Sequence, residues 1–149
     1  MEKQSPLKFP QFTELSKEDA GRLDKQRALV AATAKERYGT SVLTRTKEDL
    51  AVLQRLTDDQ VFRKNQTYEL QCLGVVFGDV LASEYPLRWV MVTDEYATDP
   101  TLRYKDMTLQ INALTMISKR VERGEQINLL QLVQITGKQL AHFDKEWHK

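Results

Sequence analysis

Residues 73–86 read LGVVFGDVLASEYP, and the placing of this stretch decides the fold. Leu70, Leu73, Gly74, Phe77 and Leu81 fall on one helical face, and Val75, Val76 and Val80 widen it. A helix over about residues 65–84 is therefore predicted, central to the fold and buried around much of its circumference. Pro86 closes it. Two glycines stand inside it, although each costs about 1 kcal/mol relative to alanine in a helix interior. Gly74 and Gly78 share nearly one face, so their missing side chains leave a shallow notch. A G-x-x-x-G pair in a membrane would suggest helix dimerisation. Here Asp79 interrupts the apolar run far short of the roughly 20 residues that span a bilayer. In a water-soluble fold the notch admits another backbone or a large ring. Trp89 and Trp147 are the available rings, so Gly74 and Gly78 are read as packing positions. The competing reading is a ligand groove lined by the notch and by Asp79.

After Pro86 the period changes. LRWVMV is β-branched and aromatic and apolar on both faces, as in an inner strand. DEYATDP reads as a loop and TLRY as a short strand. Met107, Leu109 and Ile111 alternate with polar residues, the mark of a half-exposed strand. Strands near 87–93, 101–105 and 107–112 with short links predict a three-stranded antiparallel meander. Asn112 can cap a helix carrying Leu114, Ile117 and Val121, which Gly124 ends. Asn128 and Gln131 are placed as N-cap and box partner of a last helix, with Ile127 and Leu132 as its hydrophobic staple. Leu129, Val133, Leu140 and Trp147 continue its buried side.

Toward the N-terminus, Ser16 and Asp19 open a helix with Leu23, Val30, Ala34 and Tyr38 as its inward stripe, and Gly39 stands at its C-terminal cap. Thr46 and Asp49 repeat the capping pattern before Leu50, Leu53 and Leu56. Residues 1–15 read as an extended arm that Phe9 and Phe12 could pin to the body, and residues 16–149 as one domain. The expected fold is α+β, about five helices packed against the three-stranded sheet.

Composition narrows the function classes. A chain of 149 residues with 41% hydrophobic and 29% charged residues suits one folded domain. Lys and Arg number 22 against 21 Asp and Glu, so no global charge draws it to nucleic acid or an anionic membrane. MEKQSPLKFPQF lacks the apolar core of a secretory signal. Cys72 is the sole cysteine, which excludes an internal disulfide and a cysteine zinc cluster and suits a reducing, cytoplasmic setting.

With these segments placed, LQCLGVVFGDVLASE, the tryptophan of LRWVMVTDEYATDP, and ISKRVERGEQINL together resemble a bacterial family known only as a domain of unknown function, number 3806. The resemblance covers roughly residues 65–135, with a looser echo in LDKQRALVAATAKERYG. Ala97 stands where the family often carries glycine. The resemblance implies a shared fold and a bacterial source, and it implies no catalytic residues.

Asp94, Glu95 and Asp99 form an acidic group after the first strand. They lack the glycine and closing glutamate of an EF-hand. A solvated turn, a partner-facing acidic patch, and a metal or acid–base site are the readings open to them. Lys119, Arg120 and Arg123 are the clearest basic cluster, diluted by Glu122 and Glu125. That is narrower than the basic stripe with exposed aromatics that nucleic acid calls for, and Arg120 is expected to pair with Asp94 and Glu95. His142 and His148 lack a ligand partner at metal spacing. Cys72 reads as an inert core thiol, with a Cys–His pair to His142 as its rival. No P-loop, dinucleotide fingerprint or nucleophile elbow is present. Without cofactor, metal or catalytic set, the expectation is a non-enzymatic cytoplasmic protein that binds another protein, as an immunity protein against a toxin or as an adaptor. Asp94, Glu95 and Asp99 are its expected contact surface, and Gly74, Gly78, Trp89 and Arg120 its structural positions. Homo-oligomerisation stays open. The alternative is a small-molecule or metal-dependent enzyme that joins Asp79 to the Asp94–Asp99 loop.

Overall fold

The computed structural model describes residues 10–39 and 42–147, without the side chain of Trp147. The expectations placed on Phe9, on the Trp147 ring and on His148 therefore lie outside the described residues. Five helices occur in the order α1 (Lys17–Tyr38), α2 (Leu50–Asp58), α3 (Thr67–Glu84), α4 (Ala113–Glu122) and α5 (Leu129–Trp147). The strands are β1 (Gln11–Glu14), β2 (Leu87–Thr93), β3 (Thr98–Tyr104) and β4 (Gln110–Ile111). The class is α+β, with the sheet ordered β1-β2-β3-β4 and antiparallel throughout.

Helix α3 is the axis of the core. Every residue from Cys72 through Leu81 is buried, because α1, α2, α4 and β2 all pack on it. Phe77, Leu73 and Leu81 are among the largest fully buried side chains, each contributing about 1.5–3 kcal/mol over its exposed state. Helices α1 and α5 start where their capping chemistry places them, whereas Asn112, expected to cap α4, makes no side-chain cap bond and instead accepts from Thr101 Oγ1 at 3.1 Å, and Asp49 makes none to α2. Ser16 and Asp19 form the reciprocal capping box of α1, Gly39 ends that helix in the left-handed conformation at φ 77°, and Asn128 Oδ1 accepts the Gln131 N–H at 3.0 Å.

The two glycines of α3 are occupied differently. A Cβ on Gly74 would stand 2.8 Å from the Ala113 carbonyl oxygen and closer still to that of Leu114, so the backbone of α4 enters there. A Cβ on Gly78 would stand 2.8 Å from Cη2 of Trp89 and closer to Cζ2, so the indole fills that position. The chain turns back at Pro86, and β2 returns along α3 with Trp89 over Gly78.

The sheet corrects the expected strand count from three to four. Residues 11–14 of the N-terminal segment add β1 to the open edge of β2, in a register running from Gln11 opposite Thr93 to Glu14 opposite Val90. Arg88 fastens Glu14 at 2.7 Å, and the Arg103 guanidinium lies 4.6 Å from the Phe12 ring centre. Strand β3 starts at Thr98, inside the stretch expected to be loop. Its first residues lie beyond the reach of β4, which pairs only at Leu102 and Arg103, so Pro100 sits on an edge that needs no second donor. The third predicted strand shrinks to two residues. Lys105 adopts φ 52°, and Arg103 grips the carbonyls of Met107 at 2.7 Å and Asp106 at 2.8 Å, folding that span into a turn. Among the described residues no helix is long and apolar enough to cross a membrane.

Candidate functional site

The one buried carboxylate of α3 follows directly from Gly78. Asp79 has a side chain only 2% exposed, and such a charge needs a partner and filled hydrogen bonds. Arg27 of α1 supplies both, with Nε 2.6 Å from Oδ2 and Nη2 2.8 Å from Oδ1 in a two-pronged fork. Trp89 donates its Nε1–H to Oδ1 at 3.0 Å. The third Arg27 nitrogen, Nη1, reaches Asp24 at 2.8 Å. Burial opposes the Arg27 charge, but its bonds to Asp79 and then to Asp24 outweigh it and hold its pKa above the ordinary value. The cluster fixes α1, α3 and β2 to one another.

A second arginine stands beside it. Arg45 Nε lies 3.6 Å from Asp79 Oδ2, and its side chain is 59% exposed. The backbone carrying it is held at φ 60°. Buried Asp49 anchors that backbone by accepting from Thr44 N at 2.8 Å, Thr44 Oγ1 at 2.9 Å and Arg45 N at 2.8 Å. Asp49 thus organises the loop before α2, while Thr46 caps the short 3-10 turn. Asp79, Arg27 and Arg45 line a groove of about 560 Å³ whose other walls include Leu15, Leu23, Ala82 and Trp89.

The acidic group lies elsewhere. Residues 94–97 form the turn between β2 and β3. Asp94 Oδ1 accepts the backbone N–H of Tyr96 and of Ala97, both at 2.8 Å. Those two bonds hold its carboxyl below the ordinary aspartate value. Asp99 belongs to β3, opposite Val92. Glu95 and Asp99 are exposed, and Tyr96 at the tip is 91% exposed. Asp94 and Asp99 line a separate groove of about 300 Å³ with Pro10, Gln110 and Asn112. Asp79 and the acidic turn are therefore not brought to one groove. Arg120 is not their partner either: its Nη1 turns back along α4 to the Met116 carbonyl at 3.0 Å. Among the described residues no ion pair joins it to Asp94 or Glu95.

Among the described residues no three His, Cys, Asp or Glu side chains gather to hold a metal. The buried Cys72 thiol bonds with Tyr68 and Gln26, and burial pushes it up to about 11. His142 is exposed on α5. Arg123 pairs with Glu125 at 3.1 Å.

Three residues here escaped sequence reasoning: Arg27, Arg45 and Tyr96. Arg27 carries a signal, since it fills the gap between Leu23 and Val30 on the inward stripe of α1. A cation on an apolar stripe and a lone aspartate in an apolar helix call for each other. Arg45 and Tyr96 lie in irregular segments where no period marks them.

A family model described as "Domain of unknown function (DUF3806)" matches residues 49–132, more than half of the chain. A crystal structure from Bacteroides thetaiotaomicron VPI-5482 is similar with a TM-score of 0.75 at 17% identity, over 84% of this chain and 46% of that one. The chain thus spans about half the length of that structure, and at this identity the likeness shows the fold alone. No curated protein matches the sequence.

Proposed function

The chain belongs to the DUF3806 family, a domain of unknown function, and on that premise we propose that it acts by binding another protein through the tip of the β2–β3 hairpin. The role is that of a cytoplasmic bacterial immunity protein or adaptor. The observation that carries this reading is Tyr96, an aromatic side chain 91% exposed on a turn whose shape Asp94 fixes from within. Aromatic anchors dominate binding energy at interfaces, and a turn on a rigid sheet is where contact residues concentrate. Thr93 and Thr98 bond across the base of the turn at 2.9 Å, so the tip loses little freedom on docking. Glu95 and Asp99 flank it and would steer a basic partner. The enzyme reading loses support from the placement of Asp79, whose oxygens already take three short hydrogen bonds away from the acidic turn.

The test is a pull-down from the native cell with wild type, Tyr96→Ala and Asp99→Lys, followed by association rates with the captured protein. Both variants should melt with wild type. Tyr96→Ala should speed dissociation, and Asp99→Lys should slow association at low salt and converge on wild type as salt rises. A partner captured equally by all three, at equal rates, would place the interface elsewhere.

A further inference from the structure

We propose that the groove above Asp79 is a binding site for a small carboxylate with an apolar body, and that Arg45 is the residue that pairs with its anionic end. Arg45 is the exposed cation of a cluster in which Arg27 and Arg45 balance Asp24 and Asp79. The two Asp79 oxygens already take three short bonds from Arg27 and Trp89, and the remaining Arg27 nitrogen is taken by Asp24. Arg45 is left at 3.6 Å, and among the described residues its guanidinium donates no hydrogen bond. A planar fork of N–H donors in that state matches a carboxylate. The nearby Arg88 is not equivalent, because Glu14 at 2.7 Å and Asp106 at 3.1 Å already neutralise it.

The space and the walls agree with that ligand class. About 560 Å³ lies within the range of small-molecule sites. Leu15, Leu23, Ala82, Leu87 and the Trp89 edge offer the apolar lining, and Arg45 stands among them with Arg27 and Arg88, the paired Asp24 and Asp79 being the acidic members of the wall. Asp79 orients the site without occupying it. Its bond to Trp89 holds the indole as one wall, and its charge draws the exposed Arg45 over the groove. The groove shares no lining residue with the turn at 94–97, so this site stands or falls independently of protein binding at the hairpin.

The Trp89 indole N–H is a reporter within the groove. Wild type would be titrated with N-acetyl-leucine and, separately, with its uncharged amide, following the Trp89 Nε1–H signal by nitrogen-edited NMR. A saturable shift with the acid, at least about tenfold tighter than with the amide, is expected. Arg45→Gln should weaken the acid about tenfold or more and leave the amide unchanged, and Arg45→Lys should recover only part of the loss because an ammonium lacks the fork. Arg45 is exposed, so both variants should keep the wild-type melting temperature. Absence of a saturable shift, equal affinity for acid and amide, or an acid affinity untouched by Arg45→Gln would each overturn the proposal.

Discussion

Replacing Gly78 by alanine tests whether the indole fills the notch of α3. The added Cβ would lie 2.8 Å from Trp89 Cη2, nearer to Cζ2, and 3.2 Å from the Ala113 Cβ. Carbon atoms prefer separations of about 3.5–4.0 Å, so the ring must retreat by on the order of 1 Å. It is not free to do so, because its Nε1–H is bonded to Asp79 at 3.0 Å and its backbone is paired in β2 opposite Leu102 of β3. Overpacking of this kind costs about 1–3 kcal/mol, and a hydrogen bond to a charged group contributes about 1.5–3 kcal/mol. Alanine returns about 1 kcal/mol of helix propensity. The net loss is about 1.5–5 kcal/mol, which lowers the melting temperature of a domain this size by about 5–15 °C. Gly21→Ala supplies the control. Gly21 lies inside α1 with nothing within 4 Å of a Cβ, so the same substitution should stabilise by about 0.4–1 kcal/mol. Thermal melts by circular dichroism and urea midpoints would measure both. If Gly78→Ala proves as stable as wild type or rises alongside Gly21→Ala, the notch is open space and the packing account of α3 fails.

Removing the carboxylate with Asp79→Ala should cost about 3 kcal/mol in urea unfolding, because Arg27 keeps a half-buried charge with only the exposed Asp24 beside it; a loss below about 1 kcal/mol would show that solvent reaches the pair freely. By carbon-detected NMR titration the Asp94 carboxyl should titrate below the ordinary aspartate value. Because its folded pKa is lowered, its contribution to the turn is present above the ordinary value and is lost as pH falls through the lowered one; Asp94→Ala should remove that acid-side loss of order at Tyr96 and Ala97. The Cys72 thiol, pushed up to about 11 and buried, should resist a disulfide reagent in the native protein and react only at the rate of opening, and rapid native labelling would contradict this.

The helices were legible because their signals are local. Ser16 with Asp19, and Asn128 with Gln131, sit next to the runs they start, and the apolar periods of α3 and α5 are unbroken over several turns. The strands were legible only where one face or both are buried, as in β2. Gln11–Glu14 is four residues long and mostly exposed, so no alternation marks it, and its pairing partner lies in another part of the chain. Thr98, Asp99 and Pro100 carry turn composition yet extend β3, since on an unpaired edge their weak strand preference costs little. At the site, Asp79 could be singled out as a lone charge among apolar residues, but its partners come from α1, the loop before α2 and β2. Sequence separations of that kind carry no period. The acidic turn was readable as a cluster and not as a shape, because Asp94 spends its carboxylate on its own backbone and leaves Tyr96 as the exposed tip.

The addition of β1 to the sheet also sets an order of assembly. Strands β2 and β3 close over the four residues 94–97, whereas pairing β1 with β2 closes a loop of roughly eighty residues, at a chain-entropy cost larger by about 2.5 kcal/mol. The hairpin can form early and by itself, while β1 can dock only after α1, α2 and α3 have brought the start of the chain back to the sheet. Late docking implies early release: with mostly exposed side chains and one strand neighbour, β1 is the seam along which the native state opens first. Amides of residues 11–14 should exchange with solvent far faster than those of β3, through an opening that leaves the helical core intact. During each such opening the edge of β2 stands unpaired, and a second chain could meet it there.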